Sequence, residues 1–323
     1  MNENNGLLSS GWAMLMRNKR YIFWFWLLNL TLAEFGTGAF RRSAHAILDH
    51  SLASGRLVHG FDMATFSELL ARPDFGQMSA MTMPAFYFAF LFFLATALLL
   101  PGVFEGYAAT FRLPRQDFFR ACGRNLWRFI RILIIAAIIM GIVAGALFAL
   151  QGFLVKKAGE STNEILPFET RMVTLAVIFL IMTILRIWFD LAEVETVLND
   201  RNAVRKAIRL AFRHTFRSLP RLVTGYVVAA ILAAIILAAG LWFWNRAVGP
   251  ESILGAFLLA QFILFLLLIP RFWQRAMAVS YWQQHMRLPA AVTAPAPEPV
   301  FVQPVPPVPP PPTPDIPPQP QES

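Results

Sequence analysis

The chain has 323 residues, of which 57% are hydrophobic and 15% are charged. Soluble domains carry about a quarter charged residues, so this composition argues against an ordinary soluble protein. The net charge of +9 does not indicate nucleic-acid binding, because Lys and Arg of multi-span proteins collect on the cytoplasmic side of the membrane.

Six apolar blocks are long enough to cross a membrane. A helical span needs about 20 mostly apolar residues. Backbone polar groups in lipid must be satisfied within the segment, which makes each block a helix. The sequence therefore predicts an all-α integral membrane protein with six transmembrane helices. The predicted spans are about 21–40, 84–104, 129–153, 172–190, 222–244 and 252–270.

Residues 1–20 precede the first predicted span. They place apolar side chains such as Trp12 and Met14 ahead of a basic cluster formed by Arg17, Lys19 and Arg20. This pattern predicts a short amphipathic N-terminal segment on the cytoplasmic side.

The first predicted span contains an acid, Glu34, in its outer half. An ionisable residue inside a span is a functional hypothesis by default. Thr31, Thr37 and Arg41 share its helical face. Glu34 therefore has two interpretations: it is a site for a cation or a proton, or it forms an ion pair with Arg41 or Arg42.

Residues 41–83 form the largest predicted extracytoplasmic segment. A zinc site needs three or four convergent ligands, and the spacing of the segment's polar residues matches no known ligand pattern. We therefore predict no metal or cofactor here and interpret these residues as a solvated helix face. They are His45, Asp49, His50, His59 and Asp62.

Two arginine ladders precede the third and the fifth predicted span. The first consists of Arg120, Arg124 and Arg128, and the second of Arg209, Arg213 and Arg217. A helix with a cationic face and aromatic residues opposite lies in the plane of the membrane interface. Anionic headgroups attract basic side chains there. These six arginines are the predicted lipid contacts of two basic interfacial helices.

The two ladders are related by one offset of 89 residues, since 209 minus 120 and 217 minus 128 give the same number. Aromatic residues match as well, with Trp127 in the place of Phe216. The third and fifth spans run in the same direction, so the repeat would be parallel, about an axis along the membrane normal. The pattern predicts a parallel internal duplication.

The fourth predicted span contains Arg186 four residues before Asp190, which places both on one helical face. Glu193 and Glu195 follow, and Glu105 comes directly after the second span. In one interpretation these acids hold the following ladder against the bundle. In the other, Arg186 forms a site for an anionic substrate.

Lys and Arg are unevenly distributed between the two predicted sides. The N-terminus and segments 105–128, 191–221 and 271–323 hold 18, whereas segments 41–83, 154–171 and 245–251 hold 8. This bias predicts that both termini are cytoplasmic, in a bacterial-type inner membrane.

Residues 289–323 are rich in proline and cannot form a packed core. They are predicted to be a disordered cytoplasmic tail in extended conformations, or a docking segment for a protein partner that reads proline-rich sequence. The single cysteine, Cys122, excludes an internal disulfide.

The layout of six spans with basic helices before alternate spans resembles the YciC-like and glycerophosphodiester phosphodiesterase membrane-domain group of bacterial proteins. The resemblance covers about residues 10–285 and rests on 118–131 and 207–221. It implies an inner-membrane protein of poorly defined role. The soluble phosphodiesterase barrel of some members has no counterpart here, so phosphodiesterase activity is not implied.

The sequence contains no phosphate-binding glycine loop and no nucleophile elbow, so we predict no catalytic residue. The favoured hypothesis is a non-enzymatic membrane protein that organises lipids or partner proteins. The alternative is a small-solute or ion transporter with Glu34 and Arg186 in its pathway.

Overall fold

A computed structural model of the chain describes residues 6–48, 67, 78–161, 163, 165–199, 204–247, 249 and 252–286. Within these residues the regular structure is entirely helical. The chain separates into two units, 1–287 and 288–323. The second unit, which contains the whole of the predicted proline-rich tail, lies outside the described residues.

Eight helices make up the described part of the first unit, and they are joined by short connections wherever the connection is described. They are α1 (Leu7–Arg17), α2 (Arg20–Leu48), α3 (Met78–Ala108), α4 (Arg115–Gly159), α5 (Leu166–Leu198), α6 (Val204–Arg217), α7 (Leu219–Ala247) and α8 (Ile253–His285).

Five of these helices, α3, α4, α5, α7 and α8, are long and apolar enough to cross a membrane. The prediction of an α-helical, multi-pass membrane protein is thereby confirmed. The first predicted span, 21–40, lies within α2, a helix of 29 residues that is not one of the five. This stretch has a lower mean hydropathy because it contains the polar residues Asn29, Thr31, Glu34 and Thr37.

The first arginine ladder does not form a separate interfacial helix, which corrects the sequence-based expectation. Helix α4 runs unbroken for 45 residues, about 68 Å at the rise of an α-helix. No proline follows Pro114 within this stretch to interrupt the backbone hydrogen bonds. The second ladder does have its own helix, α6, because Pro220 stands at the second position of α7, where a new helix begins.

The buried core lies at one end of the bundle, which we call the basic end because Arg17, Arg20 and both ladders lie there. It includes fully buried side chains from different helices, among them Leu15, Phe104, Phe129, Leu191 and Met277. By contrast, only 6–28% of the most apolar window of each candidate span is buried. Such exposed apolar surface requires lipid around it.

Helix α1 packs onto the C-terminal part of α8 instead of standing apart. The indole of Trp273 donates a hydrogen bond to the carbonyl of Leu8 at 3.2 Å. The hydroxyls of Ser10 and Ser280 lie 2.7 Å apart. The guanidinium of Arg17 then donates to two carbonyls at the end of α3, including that of Tyr107 at 3.0 Å. Helix α1 therefore locks the ends of α3 and α8 together.

Two glycines of α3 allow α2 and α4 to approach closely. A Cβ atom at Gly102 would lie 2.7 Å from the sulfur of Cys122 and from the ring of Phe118. A Cβ atom at Gly106 would overlap the phenol of Tyr21. This spacing of two small residues four apart is a common helix-packing device in membranes, because it lets backbones come together.

We predict that Gly106→Ala destabilises the protein by about 1–3 kcal/mol, because the added methyl overpacks against buried Tyr21. The midpoint of thermal unfolding in detergent measures this. Gly141→Ala is the matched control, since nothing lies within 4 Å of a Cβ atom there. Equal midpoints for the two variants would contradict the described packing of α2 on α3.

Candidate functional site

Polar and charged side chains are buried together with the apolar core at the basic end. Burying a charge costs several kcal/mol unless the charge is paired and hydrogen-bonded, so the contacts of this polar layer decide its role. The buried members are Asn18, Asn125, Asp190, Glu193, Glu195, Thr196, Thr215, Gln274, Arg275 and Ser280.

Asp190 lies at a junction of three helices. The hydroxyl of Tyr226 on α7 donates a hydrogen bond to Oδ2 of Asp190 at 2.8 Å. The Nε atom of Arg186 lies 3.8 Å from the same oxygen. The side-chain amide of Gln274 on α8 donates to the backbone carbonyl of Tyr226 at 3.2 Å. Arg186 and Asp190, which the sequence placed on one face, thus belong to a network that joins α5, α7 and α8.

Glu195 has no exposed surface and is held by two donors. The indole of Trp282 on α8 donates to its Oε2 at 2.6 Å, and the amide of Asn199 donates to its Oε1 at 2.9 Å. Sequence reasoning missed Trp282. The signal available was an indole N–H near the C-terminal end of a helix, where it needs an acceptor when buried.

Sequence reasoning also misses the burial of Arg275, because the apolar pattern predicts a sixth span that ends at residue 270 and places this arginine among the cytoplasmic charges. Helix α8 continues to His285, and Arg275 is 8% exposed. Its guanidinium lies 5.4 Å above the ring of Phe272 and interacts electrostatically with Asp190 and Glu193 of α5. The buried acids therefore have a buried cation close to them.

Arg271 and Arg275 line a cleft of about 280 Å³ between α2, α3 and α8. Four phenylalanines form most of its apolar wall. Thr96 also lines it, and the Thr96 hydroxyl is buried without a hydrogen-bond partner among the described residues. The cleft thus combines positive charge with apolar surface.

Arginines of the first ladder form hydrogen bonds and ion pairs with acidic side chains of α3 and α4. Glu105, after the second predicted span, accepts a hydrogen bond from the guanidinium of Arg124 at 2.7 Å and one from the amide of Asn125 at 3.3 Å. Arg120 pairs with Asp117 at 3.2 Å on the same helix. Arg128 is half-buried. Glu105 therefore does hold this ladder against α3.

The second ladder is arranged differently. Arg209, Arg213 and Arg217 are exposed, as are the neighbouring Arg205 and Lys206. Among the ion pairs described for residues 6–48, 78–161, 165–199, 204–247 and 252–286, none involves these five side chains. Helix α6 therefore presents a row of cations away from the core.

The opposite face of α6 holds the helix against α5. Ala207, Ala211 and Thr215 are buried, and the indole of Trp188 donates a hydrogen bond to the carbonyl of Ile208 at 2.9 Å. Partial burial, together with the neighbouring charge of Arg217, lowers the pKa of His214 from its ordinary value. Both effects disfavour the protonated, charged form of His214.

A row of aromatic rings continues from the half-buried Trp188 of α5 onto α6. The ring of Phe212 lies 5.1 Å from that of Trp188 and 4.5 Å from that of Phe216. Phe212 and Phe216 are both exposed beside the arginines. Helix α6 thus carries cations and apolar rings next to one another.

Glu34 is exposed and lies 3.5 Å from the guanidinium of Arg41, one of the two partners weighed for it from the sequence. Within the described residues no contact joins Glu34 to Arg186 or Asp190. Of the five polar residues singled out in segment 41–83, only His45 lies among the described residues. The described part of the chain contains no group of three His, Cys, Asp or Glu residues that could hold a metal ion.

Comparisons with known proteins return no relative. The chain matches no protein-family model, no curated protein and no solved structure. What the protein does is therefore inferred from its own side chains and clefts.

We predict that Tyr226→Phe destabilises the protein by about 1.5–3 kcal/mol, because a buried carboxylate loses its hydrogen-bond donor. Tyr87→Phe is the control, since Tyr87 is exposed and makes no described hydrogen bond. Thermal unfolding of both variants in the same detergent makes the comparison. If both unfold at the wild-type temperature, the Tyr226–Asp190 bond does not hold the bundle together.

Proposed function

We propose that the protein is a non-enzymatic, multi-pass membrane protein that organises anionic lipids at its basic end. The observation that carries the proposal is the contrast between the two ladders. Arg124 of the first ladder is paired with Glu105, whereas Arg213 of the second ladder is exposed on α6 with no described carboxylate partner.

Lipid headgroups are the natural counter-charge for such a helix. Each basic residue near an anionic membrane surface contributes roughly 1 kcal/mol of attraction. Phe212 and Phe216 supply the apolar contact that lets a helix of this kind sit at the boundary between headgroups and acyl chains. Arginine also matches phosphate geometry with two parallel hydrogen bonds.

We further propose six spans, with α2 as the first, both termini on the cytoplasmic side of a bacterial-type inner membrane, and a parallel duplication of the ladder-and-span unit. The uneven distribution of Lys and Arg supports this orientation. Contacts of Arg17 and of Gln283 with the end of α3 support a common side for the ends of α1, α3 and α8. The resemblance to the YciC-like group belongs to the same proposal.

Labelling of single cysteines tests the topology. Cys122 is buried and is replaced by alanine to give a cysteine-free background. We expect Lys157→Cys to react with a membrane-impermeant maleimide in intact cells, and Gln284→Cys to react only after lysis. Both positions are exposed on the protein. Labelling of Gln284→Cys in intact cells would reverse the proposed orientation.

Removal of charge from α6 tests the lipid proposal. We expect the triple variant Arg209→Gln, Arg213→Gln and Arg217→Gln to lose enrichment of phosphatidylglycerol over phosphatidylcholine around the protein. Lipids that co-purify from mixed vesicles in mild detergent, quantified by mass spectrometry, provide the measurement. Raising the salt concentration should weaken the wild-type enrichment as well, since salt screens exposed charges.

The matched control removes the same number of charges from the opposite end of the bundle. Lys156→Gln, Lys157→Gln and Arg246→Gln replace three exposed cations outside α6. Enrichment should survive in this variant. Equal loss in both triple variants would mean that net charge, and not α6, determines the lipid composition.

The sequence-based alternative is a small-solute or ion transporter that uses Glu34 and Arg186. Glu34 pairs with Arg41 on exposed surface, and neither of the two clefts described for the bundle is lined by Glu34 or Arg186. Solute flux in reconstituted vesicles that disappears on Glu34→Gln would favour this alternative. A protein partner for the proline-rich tail remains a prediction, since the tail lies outside the described residues.

A further inference from the structure

A groove of about 590 Å³ opens between α2, α3 and the start of α4. Arg20 and Arg115 line its end at the basic end of the bundle. Its wall along α2 is formed mainly by apolar side chains, including Leu27 and Leu28, and Thr31 is the lining residue farthest along α2. The groove is therefore charged at one end and apolar along its length.

The length of the groove fits one leaflet of a bilayer. Arg20 and Thr31 are eleven residues apart on α2, which corresponds to about 16 Å along a helix. Half of the hydrocarbon core of a bilayer is about 15 Å thick. An acyl chain that starts beside Arg20 would therefore run along the groove to the middle of the membrane.

Arg20 has unused hydrogen-bonding capacity at the charged end. Its Nη2 atom donates to the carbonyl of Leu113 at 3.0 Å and to the hydroxyl of Tyr21 at 3.1 Å. These contacts fix the guanidinium, which lies 5.0 Å from the centre of the Tyr21 ring. Its Nε–H is buried and has no acceptor among the described residues. A buried donor without an acceptor is unfavourable, so a ligand oxygen here would be stabilising.

Arg115 adds a second cation at the same end. It is exposed at the first position of α4, and no ion pair among the residues that the structure describes involves it. The acid nearest to it on that helix, Asp117, is already paired with Arg120. The N-terminus of a 45-residue helix further favours a negative charge here.

We propose that this groove binds an anionic phospholipid, with its phosphate between Arg20 and Arg115 and one acyl chain along Leu27 and Leu28. Charge at one end and apolar wall beyond it match the two parts of such a lipid. This proposal rests on the proposed function, because both concern the binding of anionic lipids. The groove, however, is a single binding site for one lipid molecule, and it lies apart from α6.

Two kinds of substitution separate the site's charge from its shape. Arg20→Gln with Arg115→Gln removes the two cations, and Lys156→Gln with Lys157→Gln is the control with the same change in net charge. Leu28→Trp fills the groove and leaves the charge unchanged. Thr31→Trp also fills the groove without a change in charge. Because Thr31 is exposed, this variant replaces Leu28→Trp if the latter fails to fold.

Native mass spectrometry of the full chain, titrated with phosphatidylglycerol or phosphatidylcholine in detergent, gives the affinity of the first bound lipid. We expect phosphatidylglycerol to bind at least about ten-fold more weakly to the double arginine variant, because charge-assisted hydrogen bonds are lost. The groove-filling variant should weaken it to a similar degree, and the lysine control should bind as wild type does. Wild-type affinity in both the arginine and the groove-filling variant, or equal binding of phosphatidylcholine to the wild type, would overturn the proposal.

The α6 triple variant distinguishes this site from the proposed function. If it loses general enrichment of anionic lipid yet keeps the single tight lipid, both proposals hold. If it keeps enrichment while the groove variants lose the tight lipid, the groove stands and the role of α6 falls. Loss of enrichment in the α6 variant, with no effect of the groove variants on the tight lipid, leaves the proposed function standing and rejects the groove.

Discussion

The hydrogen bond from the hydroxyl of Tyr226 to Asp190 joins α7 to α5 in a layer where apolar packing and buried charge coincide. Apolar helices gain little from contacting one another in lipid, because acyl chains are as apolar as leucine. Polar contacts and close backbone approach must therefore hold the bundle. Both occur at the basic end, through the Asp190 network and through Gly102 and Gly106 on α3. Away from this end the most apolar windows of the candidate spans expose most of their side chains.

The two arginine ladders take part in these contacts to different degrees. Arg124 completes the packing of α4 on α3 by pairing with Glu105, so the first ladder is part of the scaffold. Helix α6 is fixed to α5 by its buried small residues and by Trp188, which leaves Arg213 and its neighbours outside. The groove beside Arg20 uses the same principle at a second place, since fixed cations border apolar surface there.

Sequence reasoning recovered the elements whose signal is local. Five apolar blocks coincide with helices able to span a membrane, because hydropathy over about 20 residues depends on composition alone. The pairing of Arg124 with Glu105 and the burial of Arg275 depend on how neighbouring helices rotate and pack, which spacing along one helix does not determine. The continuity of α4 was missed for a further reason. A basic stretch followed by an apolar one predicts two elements, although nothing between them breaks a helix.

We propose that one ladder stabilises the fold and that the other binds anionic lipid. The most direct test compares Arg124→Gln with Arg213→Gln by following the unfolding temperature as phosphatidylglycerol is added. We expect Arg124→Gln to lower this temperature at every lipid composition but to keep the rise produced by phosphatidylglycerol. Arg213→Gln should start at the wild-type temperature and show a smaller rise. Identical behaviour of the two variants, or a smaller rise in Arg124→Gln alone, would contradict the division of roles.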